Sequence, residues 1–380
     1  MAKRPTAETP DAPPTVALML QGGGALGAYH IGAYKALAEH GMHPDWIGGI
    51  SIGAINAAVI AGNAPDDRVA RLTALWEAIS WPDVPPLLRA LPLQLLHNVA
   101  SNAEALVFGQ PDFFTPRPPG ALLSPHPAEQ VSFYDTAPML GTLQRFAKLP
   151  LPVGHAPRLS LGATNIATGQ VKFFDSKTQA IGAHHVLASG SLPPGFPATA
   201  VDGALYWDGG CVSNTPFDVI TDEPGHPRMV VFLIDLWNAA GPPPTTMNDV
   251  LWRAKQIQYA SRIAHHIDAV ATKVNLRHAV RLLKSAGASE VSALPADALL
   301  GPQRLDIVHI IYRPTADQIS ASDAEFSRTS IAERRAAGHR DMTAALAAAP
   351  WKQQAMPAHL GALVHRVEHG DVTTRREPNL

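Results

Sequence analysis

The sequence predicts an α/β fold, with a mostly parallel central sheet flanked by helices and a helical C-terminal extension. Three observations predict it. The apolar run Thr15–Leu20 is bounded by glycines and reads as a buried strand. A helical stripe of Leu26, Ile31, Tyr34 and Leu37 follows over roughly Ala25 to His40, with Gly41 as its stop. A second short strand, Trp46–Ile50, then passes into an alanine-rich helix, Ile52–Ala61, closed by Gly62 and Asn63. This β-α-β-α alternation opens a parallel sheet covered by helices.

The remaining elements come in chain order. Residues 1–14 are polar and proline-rich and read as a disordered tail. Residues 15–240 form the main domain. Within it, 81–130 is rich in proline and leucine without steady periodicity. It reads either as an irregular insertion packed on the core or as a lid facing lipid. Regular structure resumes with a helix at Thr136–Lys148 and strands at Arg158–Thr164 and Gln170–Phe174. A helix around Ile181–Ser189 and strands at Ala204–Trp207 and Val230–Ile234 complete the domain. Gly241–Pro244 marks a boundary. Residues 241–370 read as a mainly helical extension. It holds a long helix near Asn248–Ser285, a strand at Asp306–Tyr312 that rejoins the sheet, and a helix near Ser322–Ala348. Residues 371–380 read as a second disordered tail.

The chain has 380 residues, and its 46% apolar and 16% charged content supplies a sizeable core. A formal net charge of −2 gives no general attraction to nucleic acid or acidic membranes. With Cys211 as its one cysteine, no intrachain disulfide can form. The N-terminus lacks the apolar core of a signal peptide, and no uninterrupted apolar run is long enough to span a bilayer. The expectation is a cytoplasmic protein that meets lipid, if at all, peripherally at a membrane surface. No paired-cysteine or H-E-x-x-H pattern appears, so neither metal nor cofactor is expected.

Gly49-Ile50-Ser51-Ile52-Gly53 is a G-x-S-x-G pentapeptide set between a strand and a helix. In that setting the serine occupies a sharp turn that exposes its hydroxyl, and the flanking glycines avoid collision with neighbouring backbone. Gly22-Gly23-Gly24 follows the first strand, and its unobstructed N–H groups could form an oxyanion hole. Gly22, Gly24 and Gly27 also satisfy G-x-G-x-x-G. A dinucleotide site, however, wants an acidic residue at the end of the second strand, where Gly49-Ile50-Ser51 stands instead. Asp208-Gly209-Gly210 places a carboxylate at a strand end before two permissive glycines.

In combination these blocks resemble the patatin-like phospholipase family. Ala188–Pro197 and Asn214-Thr215-Pro216 are also similar to stretches of that family. The resemblance covers roughly residues 15–240. The part from 241 to 370, including Val308–Tyr312 and Phe326–Arg328, is similar to an extension found in a bacterial subset. The resemblance implies a patatin-like fold and a catalytic dyad of Ser51 and Asp208 without histidine. It assigns the oxyanion hole to Gly22, Gly23 and Gly24, elbow support to Gly49 and Gly53, and turn support to Gly209 and Gly210. One departure stands out: the commonest family loop has Arg or Lys where this chain has Leu26. That weakens the case for charged phospholipids specifically.

The expected reaction is acyl transfer from a lipid ester to Ser51, then hydrolysis. Aspartate is a weak base, with an ordinary pKa of roughly 4. The dyad therefore calls for an Asp208 that is at least partly buried and within hydrogen-bond reach of Ser51. Two other readings stay open: an esterase or thioesterase on non-phospholipid acyl substrates, including short-chain esters and hydroxyalkanoate oligomers, and a partner-binding scaffold without activity. A triad of Ser51, Asp208 and His309 is allowed by chain order, but His309 alternates with apolar residues as a strand residue would. His184 and His185 precede Asp208 and read as helix residues. Arg253, Lys255, Arg262, Lys273, Arg277, Arg281 and Lys284 make the long helix basic, above a stripe of Ile257, Ile263, Ile267, Val270 and Val274. This helix reads as core-packed with a solvated cationic face, or as a surface for anionic lipid or a protein partner.

Overall fold

Thr15–Leu20 forms β1, and its alternate residues enter two different cores. Leu18 and Leu20 join one apolar cluster, while Ala17 and Met19 join the other. A strand apolar on both sides belongs in the middle of a sheet with helices on both faces, and β1 lies there. The computed structural model describes residues 13–80, 109–118, 125–221, 223, 226–237, 239–288, 291, 294, 299–314, 322–353 and 356–375.

After β1 a 3-10 turn, Gly24–Ala28, leads into α1, Tyr29–Glu39. β2 is Trp46–Ile50, α2 is Ile52–Ala61 and α3 is Arg68–Ala78. A short antiparallel pair follows, β3 (Thr115–Pro116) with β4 (Tyr134–Asp135), and then α4, Ala137–Phe146. β5 is Arg158–Asn165, β6 is Val171–Asp175 and α5 is Ala183–Ser189. β7 (Thr199–Val201), β8 (Ala204–Asp208) and β9 (Arg228–Asp235) complete the main domain. The extension contributes α6 (Met247–Ser285), β10 (Arg304–Ile311), α7 (Arg328–Ala348), β11 (Ala362–Glu368) and β12 (Asp371–Arg375).

One 10-stranded sheet runs in the order β12-β11-β10-β9-β1-β2-β5-β8-β7, with β6 on the free edge of β5. From β11 to β5 the strands are parallel; β12, β6, β8 and β7 pair antiparallel. Winding reverses at β1, since β2 and β5 continue to one side and β9 to β11 to the other. Sites gather at the carboxyl ends of strands beside such a reversal. α1, α2, α3 and α7 cover one face, and the C-terminal half of α6 covers the other.

Two expectations are corrected. Residues 371–375 were expected in a tail, but Val372 packs on the core and β12 pairs with β11. Ile257 was placed in the buried stripe of α6, yet it is 46% exposed, while Ile263, Ile267, Val270 and Val274 are buried. α6 turns its apolar face onto the sheet only from Ile263 onward. Most of the 81–130 insertion lies outside the described residues. Among the described residues, no helix is long and apolar enough to cross a membrane.

Candidate active site

The register of β5 explains how Ser51 and Asp208 meet. β2 pairs with β5 as far as Ile50 opposite Gly162. One residue further along β5, β8 takes over, with Asp208 opposite Ala163. The residue after Ile50 and the last residue of β8 are therefore neighbours. Ser51 adopts φ 57 and ψ −127, a region that side chains rarely occupy. Such strain persists only where surroundings enforce it. Here α2 starts at the next residue, and the Ser51 N–H donates to both the carbonyl and the hydroxyl of Ser189 at 3.1 Å. The turn is closed by contact: a Cβ on Gly53 would sit 2.2 Å from the Leu20 carbonyl oxygen. One on Gly49 would sit 2.4 Å from that of Gly53.

Asp208 is 1% exposed. Its Oδ1 accepts from the Gly210 N–H at 2.7 Å, and its Oδ2 is buried without a partner of full hydrogen-bond geometry among the described residues. Burial pushes its pKa up to about 7, against smaller downward pulls from the Ser51 hydroxyl and the Gly210 N–H. The hydroxyl thus acts on the carboxyl from outside ideal bonding geometry, as is common before substrate tightens a site. The backbone of Asp208 is pinned: its N–H donates to Ser191 and its carbonyl accepts from Thr164 Oγ1.

The glycine loop is clamped from three sides. Asn214 accepts the Gly22 N–H on its carbonyl (3.2 Å) and donates through Nδ2 to the Gly22 carbonyl (2.9 Å). Trp237 Nε1 donates to that same carbonyl at 2.8 Å. Gln21, fully buried, accepts from the Leu236 N–H and donates to Thr215 Oγ1. One assignment changes: the Gly22 N–H is already engaged by Asn214, so Gly22 has no donor to spare for an oxyanion. The N–H groups of Gly23 and Gly24 make no hydrogen bond to a described residue.

The patatin-like phospholipase family model matches residues 18–221, more than half of the chain. The chain belongs to the patatin-like phospholipase family. A second family model, described as patatin phospholipase, matches residues 257–358, within the extension. A patatin-like phospholipase domain-containing protein of Caenorhabditis elegans is 28% identical over 207 residues, 54% of this chain and 12% of its own. A triacylglycerol lipase of Arabidopsis thaliana is 36% identical over 76 residues, 20% of this chain and 10% of its own. The chain thus spans only about a tenth of the length of these curated relatives. Among solved structures, VipD from Legionella pneumophila aligns at 16% identity with a TM-score of 0.33, over 86% of this chain and 67% of that one.

In this patatin-like chain, a cavity of about 420 Å³ opens over Ser51 and Asp208. One side is aromatic. Phe114 packs against Tyr134 and Phe196 at ring distances of 4.8 and 5.2 Å, and Phe113 against Phe326 at 5.9 Å. Phe113 and Phe114 come from the described part of the insertion. The other side carries Lys255 and Asp323, paired at 2.8 Å, and Tyr259, whose pKa rises to about 12 through burial and the nearby Asp208 and Asp323 carboxylates.

Neither histidine alternative reaches this site. His309 pairs with Asp235 at 3.1 Å on β10, three strand spacings from β2 and so roughly 14 Å away. His184 is exposed, and His185 packs edge-on against Phe174. Among the described residues, no cluster of His, Cys, Asp and Glu could hold a metal. Sequence reading passed over Gln21, Ser189, Trp237 and Arg334 as site residues. Arg334, 3% exposed on α7, donates to the carbonyls of Ala25 (3.1 Å), Glu325 (2.8 Å) and Ser322 (2.9 Å). It brings a cation to the backbone of the glycine loop beside Leu26, where the commonest family loop carries its own. Of these four, only Ser189 lay in a stretch that the family resemblance had marked.

Proposed function

We propose that this protein is a serine acyl hydrolase acting on lipid carboxylic esters. Ser51 Oγ attacks the ester carbonyl and its proton passes to Asp208. The Gly23 and Gly24 N–H groups stabilise the oxyanion, and the leaving alcohol takes the proton from Asp208 as the acyl-enzyme forms. Asp208 then takes a proton from water, which attacks the acyl-enzyme. Proton return to Ser51 releases the fatty acid. The observation that carries this reading is a buried carboxyl with a pKa near 7 beside a strained serine, under an aromatic cavity. A base that titrates near the working pH is the kind the chemistry needs.

Fluorophosphonate labelling tests it. Wild type should take up label at one site and Ser51→Ala none; a folded wild type that stays unlabelled would overturn the reading. Within the class, one feature favours neutral acyl esters over anionic phospholipids: Asp323 already neutralises Lys255 at the cavity wall. Turnover of nitrophenyl esters and neutral glycerides above that of diacyl phospholipids is the expected order. The reverse order would put phospholipid first.

A further inference from the structure

A second cavity, of about 580 Å³, opens between α1, α3 and α7 and shares no lining residue with the Ser51 pocket. Each helix offers it residues three or four apart, so one face of each helix forms a wall. From α7 these include Ile331, Ala332, Arg335, Ala336, His339 and Arg340. The floor is apolar: Ile331, Ala332 and Ala336 line it, over Ile31 and Trp76, which are each 1% exposed. The rim is cationic, with Lys35, Arg328, Arg335 and Arg340 facing Glu77 as the one lining carboxylate. Lys35 and His339 share Glu39, just outside the lining. Arg335 and Arg340 make no salt bridge to a described residue. The Thr73 hydroxyl in the same wall is buried without a hydrogen-bond partner among the described residues.

Apolar floor, unbalanced cationic rim and a spare hydroxyl together suit a molecule with one long apolar chain and one anionic end. The size is ordinary for a single such ligand. We propose that this cleft binds a free fatty acid, with its carboxylate held by Arg335 and Arg340 and its chain along Ile331, Ala332 and Ala336. The choice of ligand rests on the acyl-hydrolase reading, because that reaction releases a fatty acid into the protein's surroundings. Guanidinium and carboxylate match in charge and geometry.

Isothermal titration of laurate, below its micellar range, into the full-length Ser51→Ala chain tests the site without turnover. Two molecules should bind per chain, one in each cavity. Adding Arg335→Glu and Arg340→Glu should weaken one of the two by at least tenfold. The same reversal on a Ser51 background should leave nitrophenyl-ester turnover unchanged. Dodecanol, with the same chain and no charge, should bind both versions equally. Laurate bound at full strength by a folded, charge-reversed chain overturns the proposal, as does dodecanol binding that drops in parallel with laurate. Should the double reversal unfold the chain, Arg340→Ala, at an exposed position, carries the same comparison. Absence of ester turnover in wild type would count against the hydrolase reading alone, since the titration does not depend on it.

Discussion

The raised pKa of Asp208 has two consequences of opposite sign. As a base, Asp208 must be ionised, so ester turnover should rise about tenfold per pH unit below about 7 and level off above it. For stability the effect reverses. The folded chain holds the proton up to about pH 7, while the unfolded chain releases it near 4. Between those values the native state binds more protons, so this group costs stability progressively as pH rises from about 4 through 7. Asp208→Asn should abolish turnover, yet raise unfolding stability above pH 7 by up to about 4 kcal/mol, with no gain below pH 4. Chemical denaturation at pH 4 and pH 8 checks this, and an Asn variant less stable than wild type at pH 8 would sink the burial argument. Asp208 stands out only beside the other motifs and through the family resemblance, whereas the sequence singles out Ser51 because strand, serine and glycine occur in a fixed local order. It could not show that Gly22 is engaged, since its partner Asn214 lies far along the chain. Hydrogen bonds between distant segments leave no local pattern.

Two elements do what no single motif announces. The first is β5, which passes from β2 to β8 at Gly162 and Ala163 and so sets Ser51 beside Asp208. The second is α7. It crosses α1 at backbone contact: a Cβ on Gly338 would lie 2.1 Å from the Tyr29 carbonyl oxygen, and one on Gly32 1.8 Å from that of Arg335. On an exposed helix Gly→Ala stabilises by about 1 kcal/mol. Here Gly338→Ala should instead lower the melting temperature, because overpacking costs about 1–3 kcal/mol. A raised melting temperature would show that the helices can part without cost. The same helix carries Arg334 to the glycine loop. Arg334→Met should lower kcat roughly tenfold to a hundredfold through a displaced loop, with KM little changed. Arg334→Lys should recover only part of this, since a single ammonium cannot hold three carbonyls in a planar fork. A fall in kcat matched by an equal fall in the folded fraction of the chain would point to general misfolding instead. α7 itself was legible as a helix; its crossing partner was not, because small residues in a helix look the same whether or not another backbone rests on them.

At the scale of the molecule, the extension completes the sheet. Gly241–Pro244 reads in the sequence as a boundary, and residues 241–370 read as mainly helical. The helices are present, but β10 lies directly against β9 over its whole length, and β11 and β12 continue the sheet outward. β11 and β12 escaped sequence reading because His365 and Arg366 interrupt the apolar run of β11 and because the strands lie near the chain end. His365 is nevertheless fully buried, bonded to Asp306 at 3.0 Å and to Thr374 at 2.9 Å, so its polarity is satisfied inside the sheet. Removing residues 241–380 would strip β9 of its outer neighbour, leave an apolar strand as a bare edge, and take α6 from one face of the sheet and α7 from the other. An edge of that kind pairs with other chains rather than with water. A chain ending at residue 240 should therefore aggregate, although its strand-serine-helix motif and Asp208 are intact. The full chain should melt in one cooperative transition, with fluorophosphonate labelling lost at the same temperature. If the shortened chain stayed monomeric and took up label, the extension would be an accessory to the fold. Aggregation would instead make β10, α6 and α7 part of what holds Ser51 and Asp208 in register.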